Sequence, residues 1–219
     1  MTALGGALFG LYAITDPALT PGGRLLTAVE AAIRGGARLV QYRDKSADRE
    51  RRRQEAEAIL ELCRGHGVPL IINDDLELAA ALGADGIHLG REDVPLDAAR
   101  VALGPRALIG VSCYDSLPRA VAAAHAGADY VAFGSFYPSL TKPGAVRAPV
   151  ELLAQARREL SVPLCAIGGI TPANGGALLA AGADMLAVIH GLFAVRDITA
   201  AAGAYAGLFS SAAALKRDR

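Results

Sequence analysis

Cysteine is scarce. The 219-residue chain has three, Cys63, Cys113 and Cys165, and an odd number at such wide spacing makes neither a disulfide framework nor a zinc-ligand pattern. A reducing compartment is expected. Charge of one sign is not in excess either: 22 Lys and Arg stand against 22 Asp and Glu, which excludes the broad basic surface of a dedicated nucleic-acid binder. Any functional charge must therefore be local. Long apolar runs are also missing, since the most apolar window, Ala177 to Val195, is broken by Gly182, Asp184 and His190 and fails as a membrane span. Met1 to Phe9 lacks the basic n-region of a signal peptide. These absences together predict a soluble, cytoplasmic protein with neither membrane nor nucleic acid as partner. No Ser/Gly tract or charge block divides the chain, which predicts one domain over residues 1–219, with 216–219 fraying.

What the sequence does have is apolar material: a 53% hydrophobic fraction suffices for a substantial core. Short apolar runs centre near Tyr12, Gln41, Ile71, His88, Gly110, Ala132, Ala166 and Val188, separated by amphipathic or alanine-rich stretches. Eight runs in 219 residues leave about 27 per unit, enough for one strand, one helix and two short loops. A single (β/α)8 TIM barrel is predicted over a doubly wound open sheet, whose usual number of units is smaller. Gly83-Ala84-Asp85, Gly127-Ala128-Asp129 and Gly182-Ala183-Asp184, with Gly36-Ala37-Arg38 as a weaker copy, each precede an even-numbered run. They read as helix stops, with glycine taking the left-handed position. The charged run Asp48 to Arg53 reads as the solvated face of a helix.

In a parallel barrel the strand C-termini converge on one mouth, so polar residues that close the apolar runs are the candidates for chemistry. The second run ends Gln41-Tyr42-Arg43-Asp44-Lys45, and alternation puts Gln41, Arg43 and Lys45 on one face, the lumen. Inward cations need anionic partners, either nearby carboxylates such as Asp44 or Asp74 or a bound phosphate. The third and fourth runs end in Asn73-Asp74-Asp75 and in His88-Leu89-Gly90-Arg91-Glu92-Asp93. Adjacent mouth-side carboxylates repel unless a cation lies between them, and hard oxygen ligands suit Mg²⁺ shared with substrate phosphates. Asp74 and Asp93 are the candidate metal ligands, while Asp75 reads as a helix cap. His88 is either an acid/base or a buried, hydrogen-bonded imidazole. Ser112 closes the fifth run with a hydroxyl suited to binding, and no partnered base makes it a nucleophile. After the sixth run, Ser139-Leu140-Thr141-Lys142 forms a hydroxyl-rich cationic loop able to close over an anion. The seventh run leads to Gly168-Gly169 before a helix start, and the eighth to Ile189-His190, the position where this fold commonly binds a phosphate.

Taken in order, Gln41-x-Arg43-Asp44-Lys45, Asn73-Asp74, His88-Leu89-Gly90-x-Glu92-Asp93, Ser112, Ser139-x-Thr141-Lys142 and Ile167-Gly168-Gly169-Ile170 resemble thiamine phosphate synthases, over about residues 10–193. The resemblance implies the same barrel and a Mg-dependent transfer of an alkyl group. In that reaction 4-amino-5-hydroxymethyl-2-methylpyrimidine diphosphate condenses with a thiazole (carboxy)ethyl phosphate to give thiamine phosphate and pyrophosphate. It further implies that Asp74 and Asp93 bind Mg²⁺. Gln41, Tyr42, Arg43, Asp44, Lys45, Asn73, Ser112 and Lys142 would hold the pyrimidine diphosphate. Ser139, Leu140, Thr141, Gly168, Gly169, Ile189 and His190 would hold the thiazole phosphate. Arg43, Lys45, Ser112 and Lys142 are the expected catalytic side chains, stabilising the departing diphosphate so that the thiazole nitrogen can capture a pyrimidine cation. The chain departs from many relatives at Ser139, Arg91 and His190, where Thr, Gln and Ser are usual. A related thiazole tautomerase of the same barrel superfamily, or a non-catalytic phosphate-ligand sensor, are the alternatives. Against the tautomerase, the fifth run reads Ser112-Cys113-Tyr114, with no histidine. Outer helices of a barrel serve dimers and monomers alike, so a homodimer is compatible with the pattern.

Overall fold

The computed structural model describes residues 8–21, 23–139, 144 and 146–217, with only the backbone described over 211–217. Among them, eight strands alternate with helices: β1 (Gly10–Ile14), α1 (Arg24–Arg34), β2 (Ala37–Tyr42), α2 (Arg49–His66), β3 (Leu70–Asn73), α3 (Leu76–Leu82), β4 (Gly86–Leu89) and α4 (Leu96–Leu103). The second half follows as β5 (Leu108–Tyr114), α5 (Leu117–His125), β6 (Tyr130–Phe133), α6 (Glu151–Glu159), β7 (Leu164–Ile167), α7 (Pro172–Ala180), β8 (Met185–Val188), a short α8 (His190–Phe193) and a long α9 (Ile198–Arg217). The strands pair in sequence order, all parallel, and β1 pairs with β8 to close the barrel. Each predicted run centre falls inside the corresponding strand. Of the stretch expected to fray, 216–217 belong to α9 and 218–219 lie outside the described residues.

Every residue of β1 is buried, because each face of a barrel strand meets a different core. Tyr12 and Ile14 point into the lumen with Leu39, Ile71, Tyr130 and Met185, while Leu11 and Ala13 face the helical layer with Leu178, Leu186 and Phe193. Helix α1 shows the complementary pattern, burying Leu25, Ala28, Val29, Ala32 and Ile33, the three-and-four spacing of a single helix face. Asp48, Asp75 and Ser116 cap α2, α3 and α5 through hydrogen bonds to the backbone N–H three residues on, so Asp75 has the capping role expected of it. The charged run at the start of α2 departs from expectation. Arg53 pairs with Glu50 and Glu57 on the exposed face, but Arg51 reaches Asp44 and Glu55, and Arg52 reaches Asp75. These pairs tie α2 to the loops that follow β2 and β3.

The repeated Gly-Ala-Asp stops do more than end helices. Gly83, Gly127 and Gly182 adopt positive φ as expected. The aspartates then reach back to the preceding strand: Asp85 accepts from Leu70 N–H, Asp129 from Ile109 N–H and Asp184 from Leu164 N–H, each at 2.8 Å. Asp129 and Asp184 also bind Arg100 and Arg157. The bonds pin the N-terminal starts of β3, β5 and β7 at the closed end of the barrel. This leaves the opposite end for chemistry.

Candidate functional site

At the C-terminal ends of the strands lies a cavity of about 910 Å³, within the size range of small-molecule sites. Gln41, Arg43 and Lys45 line it, as strand alternation predicts. Tyr42 and Asp44, the other two residues of the stretch, do not line it. By the same alternation Tyr42 points outward, packs against α1 and α2, and donates to Glu55 at 2.8 Å. The Asp44 carboxylate accepts from Ser46 N–H at 2.7 Å and pairs with Arg51 at 2.7 Å. Burial alone would raise its pKa, but the Ser46 and Arg51 bonds prevail and hold it below the ordinary carboxylate value. It anchors the loop after β2 and faces away from the mouth.

The two candidate metal ligands do come together. Asp74 takes a left-handed φ of 64°, its N–H bonded to His88 O at 3.0 Å, which brings its carboxyl beside that of Asp93. Asp93 is held by Gly90 N–H at 2.6 Å, and Lys45 Nζ sits 3.0 Å from Asp74. Burial would raise Asp74, but hydrogen bonds from Asp93 and Lys45 outweigh it and keep the carboxyl below its usual value. Asp93 goes the other way, raised by burial and by the neighbouring Asp74 against the pull of the Gly90 N–H. Two carboxyls brought this close repel when both are ionised, which makes the pair a place for a cation. Among the described residues no group of three or more His, Cys, Asp or Glu side chains could hold a metal by itself. The donor set is two carboxylates, which suits an ion that completes its shell with water and phosphate oxygens.

Arg43 is a half-buried cation at the rim, its N–H bonded to Thr15 Oγ1 at 2.9 Å and its guanidinium 3.9 Å from Asp16. Lys45 is the more exposed, 59% accessible in its side chain, and so free to swing toward a ligand. Asn73, Ser112, Ser139, Gly168, Gly169, Ile189 and His190 also line the cavity. Leu140, Thr141 and Lys142 lie outside the described residues. Gly168 has a φ of 104°, and a Cβ there would fall 2.0 Å from Ser135 Oγ. Only glycine lets the end of β7 pass this close to the loop after β6. Arg119 joins the ends of β4 and β5, donating to Gly90 O at 3.0 Å and Ser112 O at 2.8 Å.

The cavity floor holds residues that the sequence reading left in the core. Gln41 Nε2 donates to Tyr12 Oη at 2.6 Å, Tyr12 Oη lies 2.9 Å from Tyr130 Oη, and Tyr130 Oη lies 3.0 Å from His88 Nδ1. His88 Nε2 lies 2.9 Å from Ser112 Oγ. Of the two roles open to His88, the hydrogen-bonded imidazole describes its setting. Tyr130 fits because β5 carries glycine beside it: a Cβ at Gly110 would sit 2.0 Å from the Tyr130 Cζ. Tyr12 at the centre of β1 and Tyr130 at the start of β6 sit within apolar runs, where a phenol counts as an apolar body. The glycine in the middle of the fifth apolar run was the available signal of close approach.

The description "Thiamine monophosphate synthase" belongs to the family whose profile matches residues 11–192. A thiamine-phosphate synthase of Thioalkalivibrio sulfidiphilus is 54% identical over 209 residues, covering 95% of this chain and 99% of the relative. One from Thiobacillus denitrificans is 55% identical over 203 residues, covering 92% and 95%. Among solved structures, a thiamine phosphate pyrophosphorylase from Pyrococcus furiosus superposes with a TM-score of 0.84 at 30% identity, covering 94% of this chain and 98% of that one.

Proposed function

The chain belongs to the thiamine monophosphate synthase family, and from that premise we propose how its cavity carries out the reaction. The reaction joins 4-amino-5-hydroxymethyl-2-methylpyrimidine diphosphate to a thiazole (carboxy)ethyl phosphate, giving thiamine phosphate and pyrophosphate. The observation that carries this reading is the meeting of Asp74 and Asp93 at the ends of adjacent strands, with Arg43 and Lys45 lining the same mouth.

A diphosphate leaving a benzylic-type carbon needs its growing negative charge held, and no protein nucleophile has to form a bond. Arg43 and Lys45 supply positive charge on the rim, and Lys142, by its place in the family motif, is assigned the same task. Asp74 and Asp93 would hold Mg²⁺, which, when bound, neutralises diphosphate oxygens as a Lewis acid. Lys45, paired with Asp74 at 3.0 Å, can pass to the diphosphate when the ligand arrives. Gln41, Asn73 and Ser112 orient the pyrimidine so that its departing bond faces the second substrate. Ser139, Gly168, Gly169, Ile189 and His190 form the wall assigned to the thiazole phosphate, and Leu140 and Thr141 are assigned to the same substrate by the family motif. Holding both rings in line turns a two-body encounter into a local one, and the thiazole nitrogen captures the pyrimidine cation before water does.

Purified protein given both substrates and Mg²⁺ should release pyrophosphate in step with thiamine phosphate. EDTA should abolish turnover, and Asp93→Asn should lower kcat/KM by about 100-fold or more, roughly 2.7 kcal/mol of barrier. Full turnover in EDTA would remove the metal from the account. Release of pyrophosphate without a joined product would remove the second substrate.

A further inference from the structure

The hydrogen-bonded chain on the cavity floor has a direction. A hydroxyl offers one proton, so the sense of one link constrains the next. Tyr12 accepts from Gln41 Nε2, and its own proton, in a fully buried position, has Tyr130 Oη as its acceptor at 2.9 Å. An unused buried donor would be costly. The Tyr130 proton then goes to His88 Nδ1, the imidazole carries its hydrogen on Nε2, and that hydrogen goes to Ser112 Oγ. What the chain leaves over is the Gln41 carbonyl oxygen with the second amide hydrogen at one end and the Ser112 hydroxyl proton with one lone pair at the other, both residues lining the cavity. Turning the Gln41 amide over would reverse every link and present an amide donor and a hydroxyl acceptor instead. The chain thus has two self-consistent settings, and the amide orientation selects the first. Burial raises both tyrosines well above their ordinary value, so each keeps the proton this requires.

We propose that Tyr12, Tyr130 and His88 are positioning residues that fix Gln41 as an acceptor and Ser112 as a donor, so that the cavity takes an aminopyrimidine and rejects its oxo counterpart. An aminopyrimidine offers an amine N–H and a ring-nitrogen lone pair, the complement of that pattern. The 4-oxo form offers a carbonyl and a ring N–H, the reverse. A site whose buried polar groups are left facing like groups discriminates strongly. The inference rests on the pyrimidine substrate proposed above, but the polarity of the chain can be read without any ligand.

The test has two arms. In ¹⁵N-histidine NMR of the free protein, with the resonance assigned by its loss in His88→Gln, the wild-type imidazole should carry its hydrogen on Nε2, and Tyr130→Phe should turn it to a mixture of tautomers. In calorimetry with unreactive 4-amino and 4-oxo pyrimidine diphosphonates, the wild type should prefer the amino compound by about 100-fold or more. Tyr130→Phe should cut that preference below about 10-fold, mostly through better binding of the oxo compound. Tyr12→Phe interrupts the same chain one link away and should do likewise, should the first variant fail to unfold cooperatively. Hydrogen on Nδ1 in the wild type, or equal weakening of both compounds in the variants, would overturn the proposal. Failure of both compounds to bind the wild type would overturn the pyrimidine reading and the recognition role with it, leaving the imidazole spectrum to judge the polarity alone.

Discussion

Asp44 illustrates how one side chain can carry a family motif and still serve structure. Its carboxylate is almost fully buried, bonded to Ser46 N–H and Arg51, and its pKa is lowered despite the burial that opposes it. A carboxyl with a depressed folded-state pKa contributes stability that is full above its unfolded value, about 4, and fades as pH falls through the folded value. Asp44→Asn should therefore lower stability to urea at pH 7, and the gap from wild type should close as pH is taken toward 2.5. A constant gap at both pH values would show that shape, and not charge, is what the position needs. The motif and its lumen-facing half, Gln41, Arg43 and Lys45, were legible in the sequence from strand alternation, but the partners of Tyr42 and Asp44 on α2 were not. Gln41, Arg43 and Lys45 reach the cavity while Tyr42 and Asp44 grip α2, a result of strand alternation that the resemblance had merged into one binding set.

Among the elements, the repeated Gly-Ala-Asp turns set the frame from the end of the barrel opposite the site. Asp184 bonds Leu164 N–H at 2.8 Å and pairs with Arg157, stitching β7 to β8 where both strands begin. Asp184→Ala leaves a backbone donor and a guanidinium without that partner and should cost about 1–3 kcal/mol of unfolding free energy, measured with denaturant. KM for both substrates should stay unchanged, since the cavity is at the other ends of the strands. A raised KM would mean that register errors travel the length of the strand. The period of these turns was visible in the sequence, and their glycines took the left-handed φ expected. The aspartate's reach to the neighbouring strand was hidden, because it joins residues 15 to 20 positions apart that become neighbours only after two strands pair.

On the scale of the whole molecule, the cavity is made from the ends of all eight strands, and a ligand that bridges them should stabilise the closed barrel. Pyrophosphate with Mg²⁺ at about 100 times its Kd should add about 2.7 kcal/mol and raise Tm, whereas pyrophosphate in EDTA should give much less. Equal shifts in both would point to Arg43 and Lys45 as the whole of the site. No helix among the described residues is long and apolar enough to cross a membrane. The sequence by itself determined the barrel, its strand positions and much of the mouth, because an apolar run and the two-residue strand period are local properties: the run sets where each strand lies and stops, and the period sets which side chains face inward. Tertiary structure alone decided which carboxylates meet, and how Tyr12, Gln41, His88, Ser112 and Tyr130 join across the lumen. Those contacts run between strands remote in sequence, and their distances are fixed only once the sheet has closed on itself.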